Sequence, residues 1–215
     1  MLEFKERNDV MTTMGNLVMY SLSTNVMITL EELEEKAEGY NIPFWLLPSN
    51  ENVDIKRLRN MLQKAFFYCN SVNIRENGGV VFIPKHSVPI WKDVKGLISS
   101  VDGFKEIIEL SLEDNADNKR VLYSKIQIEL DEFLNKEIPS FKDRDGNFRL
   151  PRVRIDVMNC TKSRIEYMKK KSAIYNGVIG GLEEYINKIN FLYDGIQKAI
   201  EIRLEEIEEE RLYGY

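Results

Sequence analysis

Few residues in this sequence have the types and spacing that catalysis or metal binding requires. The chain contains a single histidine, His86, and two cysteines, Cys69 and Cys160, which lie far apart in the sequence. A histidine can act as a general base, but no Ser or Cys nucleophile motif surrounds His86. One His and two distant Cys do not match the ligand spacing of a zinc site. The sequence therefore predicts a protein that is not an enzyme, without a catalytic, cofactor or metal site.

Two glycine-containing segments resemble ligand-binding loops only in part. The segment DRDGN at 143–147 begins like a calcium loop, but the sixth position counted from Asp143 is Phe148 rather than glycine, and no Glu occupies the twelfth. We therefore predict a turn there. The segment GVIGG at 177–181 lacks the Lys-Ser/Thr pair of a P-loop and follows no predicted strand, so it is not predicted to bind phosphate.

A basic segment in the second half of the chain could contact nucleic acid or another partner. Residues 142–171 contain ten Lys and Arg against four Asp and Glu, a net charge of +6, although the whole chain has a net charge of −5. Such side chains can neutralise phosphates. The alternative is that they pair with the acidic residues 201–211, whose net charge is −4. The candidate contact residues are Arg152, Arg154, Lys162, Arg164, Lys169, Lys170 and Lys171.

A heptad pattern predicts the element that positions these side chains. From Met158 to Ile200 the seam positions recur with alternating spacings of 3 and 4, which is typical of a coiled coil. Gly177, Gly180 and Gly181 interrupt the pattern, and each Gly inside a helix costs about 1 kcal/mol relative to Ala. The segment is therefore either a helical hairpin or one long helix that pairs with a second chain as a homodimer. Opposite charges at its ends favour antiparallel packing in both cases. The predicted pairing seam comprises Ile165, Met168, Tyr175, Ile179, Leu182, Ile186, Ile189, Tyr193, Ile196 and Ile200, with Thr161 and Ser172 as its softer positions.

The preceding residues, 14–137, are predicted to form a mixed α+β domain with a small, mostly antiparallel sheet. Alternating β-forming residues predict strands at 14–23 and 104–112, a short partner strand at 26–28, and a hairpin at Asn77-Gly78-Gly79. Helices are predicted after a capping box at Thr29 to Glu32, at 53–67, from Ser87 to Ser100, and at 116–137. In the last of these, the residues predicted to face inward are Val121, Leu122, Ile126, Leu130, Phe133 and Leu134.

Prolines mark two irregular segments. The segment NIPFWLLPSN at 41–50 contains two prolines and cannot be a regular helix throughout. Its apolar side chains are predicted to fill the core, and the alternative is an exposed docking surface. The region from Pro139 to Pro151 predicts a linker at 138–151, before the helical hairpin or coiled coil at 152–212.

Composition restricts the compartment in which such a chain can work. The 215 residues include only two cysteines, fewer than a secreted disulfide framework needs. Residues 11–30 contain no charge, but polar residues are scattered through them and no continuous apolar run of spanning length occurs. We therefore predict a cytoplasmic protein without a membrane segment.

Several N-terminal segments occur in an order that resembles a known family. The segments are LVMYS, IPFWLLP, DIKRLRNMLQKAF and VVFIPKHSV, followed by a helical region. In this order the chain resembles an uncharacterised family of small phage and prophage proteins. The resemblance implies a viral or mobile-element origin and action in the cytoplasm of a bacterial host. It implies no functional residues.

These observations predict a non-enzymatic protein–protein interaction protein. With the resemblance, the expected activity is to bind and modulate, or inhibit, a host defence or replication complex. The alternative is a nucleic-acid-binding accessory protein that uses residues 142–171. An antiparallel homodimer is a further candidate assembly.

Overall fold

The computed structural model describes residues 13–21, 26–75, 79–101, 106–151 and 153–213, and within them the fold is α+β, as predicted. The strands are β1 (Thr13–Ser21), β2 (Met27–Thr29), β3 (Asn52–Asp54), β4 (Val72–Asn73), β5 (Val80–Pro84) and β6 (Glu106–Glu113). The helices are α1 (Leu30–Ala37), α2 (Ile55–Tyr68), α3 (Val88–Ser99), α4 (Ala116–Glu137), α5 (Ile155–Ile179) and α6 (Glu183–Tyr213). Short 3₁₀ turns occupy Phe44–Leu46, Lys85–Ser87 and Ile138–Phe141.

The chain forms two compact units, and the boundary between them falls inside α4. The first unit ends at Leu122 and the second begins at Tyr123. The units therefore divide earlier in the chain than the predicted linker at 138–151.

The first unit contains a four-stranded antiparallel sheet in the order β4-β5-β1-β6. Leu17 of β1 lies opposite Phe82 of β5 on one side and Leu110 of β6 on the other. A Cβ at Gly15 would lie 2.1 Å from the carbonyl oxygen of Ile83, so only glycine allows this approach of β1 to β5. The mostly antiparallel sheet is confirmed. The expectation that 26–28 pairs with the first strand is wrong, because β2 pairs with β3 in a separate two-stranded sheet.

Local sequence signals account for most helix starts in this unit. Thr29 and Glu32 form the predicted capping box, with each side chain bonded to the backbone N–H of the other. Asp54 caps α2 by accepting from the Arg57 N–H at 2.9 Å. At α3, by contrast, the Ser87 side chain makes no capping bond, and a 3₁₀ turn leads directly into the helix. β4 and β5 pair antiparallel on either side of the predicted hairpin turn at Asn77-Gly78-Gly79, of which Asn77 and Gly78 lie outside the described residues.

The core of the first unit forms where α2 and α3 pack on one face of the sheet. Phe66 stacks on Trp91 with ring centroids 5.2 Å apart, and Val18 of β1 is fully buried in the same cluster. The buried residues of α2 share one face of the helix and are Leu58, Met61, Leu62, Ala65 and Phe66. This packing fixes the orientation of α2 and therefore decides which of its side chains face outward.

The second unit is built on a helical hairpin, which settles one of the two alternatives for the heptads. α5 and α6 run antiparallel and are joined at Gly180 and Gly181, whose φ angles are +74° and +77°. The N–H of Leu182 donates to the Asn176 side-chain oxygen at 2.8 Å and closes the turn. The hairpin is confirmed, and the single long helix is wrong.

A third helix lies along this hairpin, which the heptad pattern did not predict. The Tyr123 hydroxyl of α4 donates to the carbonyl oxygen of Gly181 at 3.4 Å, and the far end of α4 reaches Arg164 through Glu137. α4 therefore runs antiparallel to α5. Ile126, Leu130 and Leu134 are buried as predicted, whereas Phe133 is half-buried. Val121, in the part of α4 that belongs to the first unit, was predicted to face inward and is 50% exposed.

Burial along the hairpin follows the predicted seam with changes in its second half. Most seam residues are buried, but Ile179, Ile186 and Tyr193 are only half-buried. Leu192 and Ala199 are buried instead. The buried face of α6 is thus wider than a strict heptad seam, because α6 also packs against the preceding segment 138–148.

The segment predicted as a linker is an ordered part of the second unit. Phe141 is buried, and a Cβ added at Gly195 of α6 would lie 3.1 Å from its ring. The Asp143 carboxylate accepts from the N–H groups of Asp145 and Asn147 at 3.0 and 2.8 Å, which confirms the predicted turn.

Candidate interaction surfaces

The first unit exposes four aromatic side chains, two in the 3₁₀ turn Phe44–Leu46 and two at the end of α2. We call Phe44, Trp45, Phe67 and Tyr68 the aromatic surface. Their exposed fractions are 78%, 52%, 56% and 38%. The rings of Trp45 and Tyr68 meet edge to face with centroids 5.0 Å apart, so the two segments form one continuous feature.

The segment around Pro43 and Pro48 presents its side chains in two directions. Leu46 and Leu47 are buried in the core of the first unit. The 3₁₀ turn, closed by the Leu47 N–H donating to the Phe44 carbonyl at 3.0 Å, leaves the two aromatic residues outside. The leucines therefore fill the core as predicted, whereas the two aromatic residues are exposed. That these exposed residues dock on a partner stays a prediction.

The other half of the aromatic surface follows from helical periodicity. Ala65 and Phe66 occupy the inward positions of α2, so Phe67 and Tyr68 must point outward. The helix ends at once, because Asn70 takes a positive φ of 52°. Phe67 and Tyr68 were not among the predicted contact residues, although two aromatic residues next to the inward face of a helix indicate an exposed apolar patch.

The outer face of α2, the helix that ends at Phe67 and Tyr68, is positively charged. Lys56, Arg59 and Lys64 are exposed, and α2 contains no Asp or Glu. Arg57 is the exception, since it pairs with Asp54 at 3.2 Å. The surface therefore suits a partner that offers both apolar area and negative charge.

The predicted basic segment is less available than its sequence suggests. Lys171 is buried, with its Nζ 2.5 Å from a Glu129 carboxylate oxygen of α4. Burial lowers the pKa of Lys171, and the neighbouring Glu129 opposes that change. Lys171 thus cannot reach a nucleic acid in this fold.

Other members of the basic segment also have partners inside the second unit. Arg164 donates two hydrogen bonds to the buried carboxylate of Glu137, at 2.9 and 3.2 Å. Arg154 pairs with Asp156, and Lys169 lies 4.5 Å from the ring centroid of Tyr193.

The remaining candidates of the basic segment are Lys162, Lys170 and Arg152. Lys162 also faces the Tyr193 ring, at 5.8 Å, and Lys170 is exposed. Arg152 lies outside the described residues. Within the part of the chain that the structure describes, the ion pairs joining α5 to another element lead to α4 rather than to residues 201–211.

The two cysteines differ in environment. Cys69 is fully buried at the end of α2, and burial raises the pKa of its thiol to about 12. Cys160 is exposed on α5. Across the described ranges, no three His, Cys, Asp or Glu side chains lie close enough together to hold a metal ion.

Comparison with known proteins adds no assignment. No protein-family model, curated protein or solved structure matches this chain. The resemblance to small phage proteins therefore stays a prediction. Among the helices described, none is long and apolar enough to cross a membrane.

Proposed function

We propose that this protein works by binding another protein through the aromatic surface, without catalysing a reaction. The observation that supports this most directly is the exposed edge-to-face pair of Trp45 and Tyr68, flanked by Phe44 and Phe67. Trp and Tyr are the residue types that most often dominate the binding energy of protein interfaces. Covering the exposed half of one such ring would stabilise a complex by about 2–3 kcal/mol before the cost of association.

The charge beside these rings indicates the kind of partner. A protein that covers the rings with an apolar patch and places Asp or Glu opposite Lys56, Arg59 and Lys64 would match both features of the surface. The positive charge would mainly accelerate association and add specificity, whereas the rings would slow dissociation.

The resemblance extends this proposal to a biological setting. We place the partner in a host defence or replication complex of the bacterial cytoplasm, which this protein would modulate or inhibit. Phe44 and Trp45 belong to IPFWLLP, one of the segments on which the resemblance rests, and Phe67 and Tyr68 directly follow another, DIKRLRNMLQKAF. A role of these segments in binding a partner would agree with the exposed aromatic residues and with the resemblance.

Nucleic acid is the second candidate partner, and one observation favours it. Cationic and aromatic side chains side by side are the combination used by proteins that bind single strands. α2 and the aromatic surface fit this combination better than the basic segment does, since Lys171 is buried and Arg164 is bound to Glu137.

The homodimer also stays a proposal. The hairpin uses the heptad seam within one chain, so a dimer would need another surface. The open end of the hairpin exposes Val153, Val157 and Ile202, with Arg149 and the acidic end of α6 nearby. Two copies placed antiparallel would bring these opposite charges together. Light scattering measures the molar mass in solution and so shows whether the protein is a dimer.

The variant Trp45→Ala/Tyr68→Ala tests the proposed function, with Met27→Ala as the matched control in the same unit. Met27 is 79% exposed and lies outside the aromatic surface. With a purified partner obtained by affinity capture, calorimetry should show a loss of affinity of about 30-fold or more in the double variant. Met27→Ala should bind like the wild type.

The same variants separate the two classes of partner. If the double variant binds the protein partner unchanged, the proposed function is wrong. If it instead loses affinity for a fluorescent single-stranded oligonucleotide at low salt, while no protein partner is captured, the nucleic-acid alternative holds.

A further inference from the structure

The second unit contains a pocket that neither the hairpin seam nor the proposed function explains. It lies between the segment 138–148 and α6 and has a volume of about 460 Å³. Its walls are mainly the side chains of Ile138, Phe148, Phe191 and Leu192. The size and apolar lining are those of small-molecule sites in proteins.

The wall on the loop side is held in place by several independent contacts. The Asp143 carboxylate closes the turn, Gly146 takes a φ of +82°, and Lys142 forms a β-bridge with Phe148. The Arg149 N–H donates to the Phe141 carbonyl oxygen at 2.9 Å. The loop is thus closed on itself, so Phe148 is positioned before any ligand arrives.

The wall on the helix side depends on a glycine. Gly195 of α6 lets the ring of Phe141 sit directly on the helix, and a Cβ there would also lie 3.4 Å from the ring of Phe148. Phe141 and Phe148 stack with ring centroids 6.1 Å apart, and Phe148 meets Phe191 at 4.8 Å. Three phenyl rings therefore follow one another along the pocket.

Two of these rings keep much of their surface in solvent, which a purely structural role does not require. Phe148 is 49% exposed and Phe191 is 57% exposed, although both belong to an ordered aromatic row. A buried third ring, Phe141, already supplies the packing between the loop and α6. The apolar area left over is available to a ligand.

The rim of the pocket determines the charge of that ligand. Lys142 and Lys188 contribute the two cations, and Asn187 contributes an amide. Lys188 is neutralised by Glu184 at 2.6 Å, whereas the ion pairs formed among the described residues do not include Lys142. One positive charge beside an aromatic wall is complementary to one negative charge on a planar apolar ligand.

We propose that this pocket is a binding site for a small planar aromatic carboxylate, whose ring lies against Phe148 and Phe191 and whose carboxylate faces Lys142. The site is independent of the aromatic surface of the first unit. Its occupation would hold the loop 138–148 against α6, so ligand binding should also raise the stability of the second unit.

Calorimetry with 2-naphthoate as the probe tests this site directly. We expect saturable binding by the wild-type protein, and an affinity about fivefold weaker for the neutral 2-naphthalenemethanol, because an exposed cation adds only modestly to binding. Phe191→Ala should reduce the affinity for both compounds at least tenfold. Because Phe191 is largely exposed, this variant should keep the circular-dichroism spectrum of the wild type.

Two further variants isolate the charge and the location. Lys142→Gln should lower the affinity for 2-naphthoate to that for the alcohol and leave the alcohol unaffected. Phe67→Ala, which removes an exposed ring from the first unit, should bind both compounds like the wild type. The proposal is overturned if neither compound binds, if Phe191→Ala leaves both affinities unchanged, or if acid and alcohol bind equally well to the wild type.

Discussion

Two buried ionisable side chains, Lys171 and Cys69, show what the fold does to individual residues. The sequence places Lys171 in a run of three lysines, where an exposed position is the natural expectation. The structure instead buries it next to Glu129, because the third helix α4 covers this side of α5. No local pattern in 142–171 reports the position of α4, so this burial could not be predicted from the segment itself.

Removing the partner of Lys171 should destabilise the second unit. Glu129→Gln would remove the carboxylate that pairs with the buried ammonium of Lys171. The expected cost is about 2 kcal/mol, lower than for a fully buried pair because Glu129 is partly exposed. Urea denaturation followed by circular dichroism measures the free energy of unfolding. Replacing both residues, as Glu129→Leu/Lys171→Met, should restore most of the loss. A Glu129→Gln protein as stable as the wild type would show that the pair contributes nothing.

The buried thiol of Cys69 predicts a loss of stability in alkaline solution. Its pKa is about 12 in the folded protein against 9.0 when exposed, so between these values the folded state binds more protons than the unfolded state. The stability that this thiol contributes is complete below about pH 9 and decreases as the pH rises. Between pH 8 and 10 the loss should be about 1 kcal/mol.

The variant Cys69→Val isolates this contribution. Urea denaturation at both pH values should show a smaller alkaline loss in the variant than in the wild type. Equal pH dependence in the two proteins would argue against the burial of this thiol. Cys160, which is exposed on α5, remains in both proteins and serves as the internal control.

At the scale of the elements, sequence patterns identified the helices but not how they pair. The α5–α6 turn keeps the alternating 3 and 4 spacing across Gly180 and Gly181, so heptad phase alone fits a hairpin and a continuous helix equally well. The choice depends on backbone conformation at the glycines. The aromatic surface shows the same limit: the prolines predicted an irregular segment, but the outward direction of Phe44 and Trp45 follows only from the burial of Leu46 and Leu47.

A matched pair of glycine substitutions tests the hairpin turn. At Gly180 and Gly177 alike, an added Cβ would meet nothing within 4 Å, so any difference between them comes from the backbone. Gly180→Ala should destabilise the protein by about 1–3 kcal/mol, because its φ of +74° with ψ near 173° is accessible almost only to glycine. Gly177→Ala lies inside α5 and should stabilise it by about 0.5–1 kcal/mol.

The outcome of this comparison is read from thermal or urea unfolding of the three proteins. Opposite signs for the two substitutions support the turn at Gly180. A stabilising effect at both positions would instead indicate a continuous helix through residues 177–183.

At the scale of the whole molecule, the sequence predicted the fold class and the antiparallel packing of the C-terminal helical region, but it left open whether that region is a hairpin. It predicted the candidate surfaces only in part. Composition argued against a secreted disulfide framework, but neither composition nor net charge could locate a binding surface. The charge of the basic segment can be read from the sequence, but the ion pairs that Arg164 and Lys171 form with α4 cannot. The aromatic surface brings together Trp45 and Tyr68 from separate segments, and only the packing of the core determines that both stay exposed.

The central claim is that a partner protein covers the aromatic surface, and site-specific photocrosslinking in bacterial cells tests it most directly. Benzoylphenylalanine at Phe44, which is 78% exposed, places the reactive group on this surface. The same group at Leu212, which is 80% exposed on α6, is the control. We predict a discrete covalent adduct with one protein from position 44 and none of that mass from position 212. Irradiation that gives no protein adduct at position 44, or the same adduct from both positions, would contradict the account.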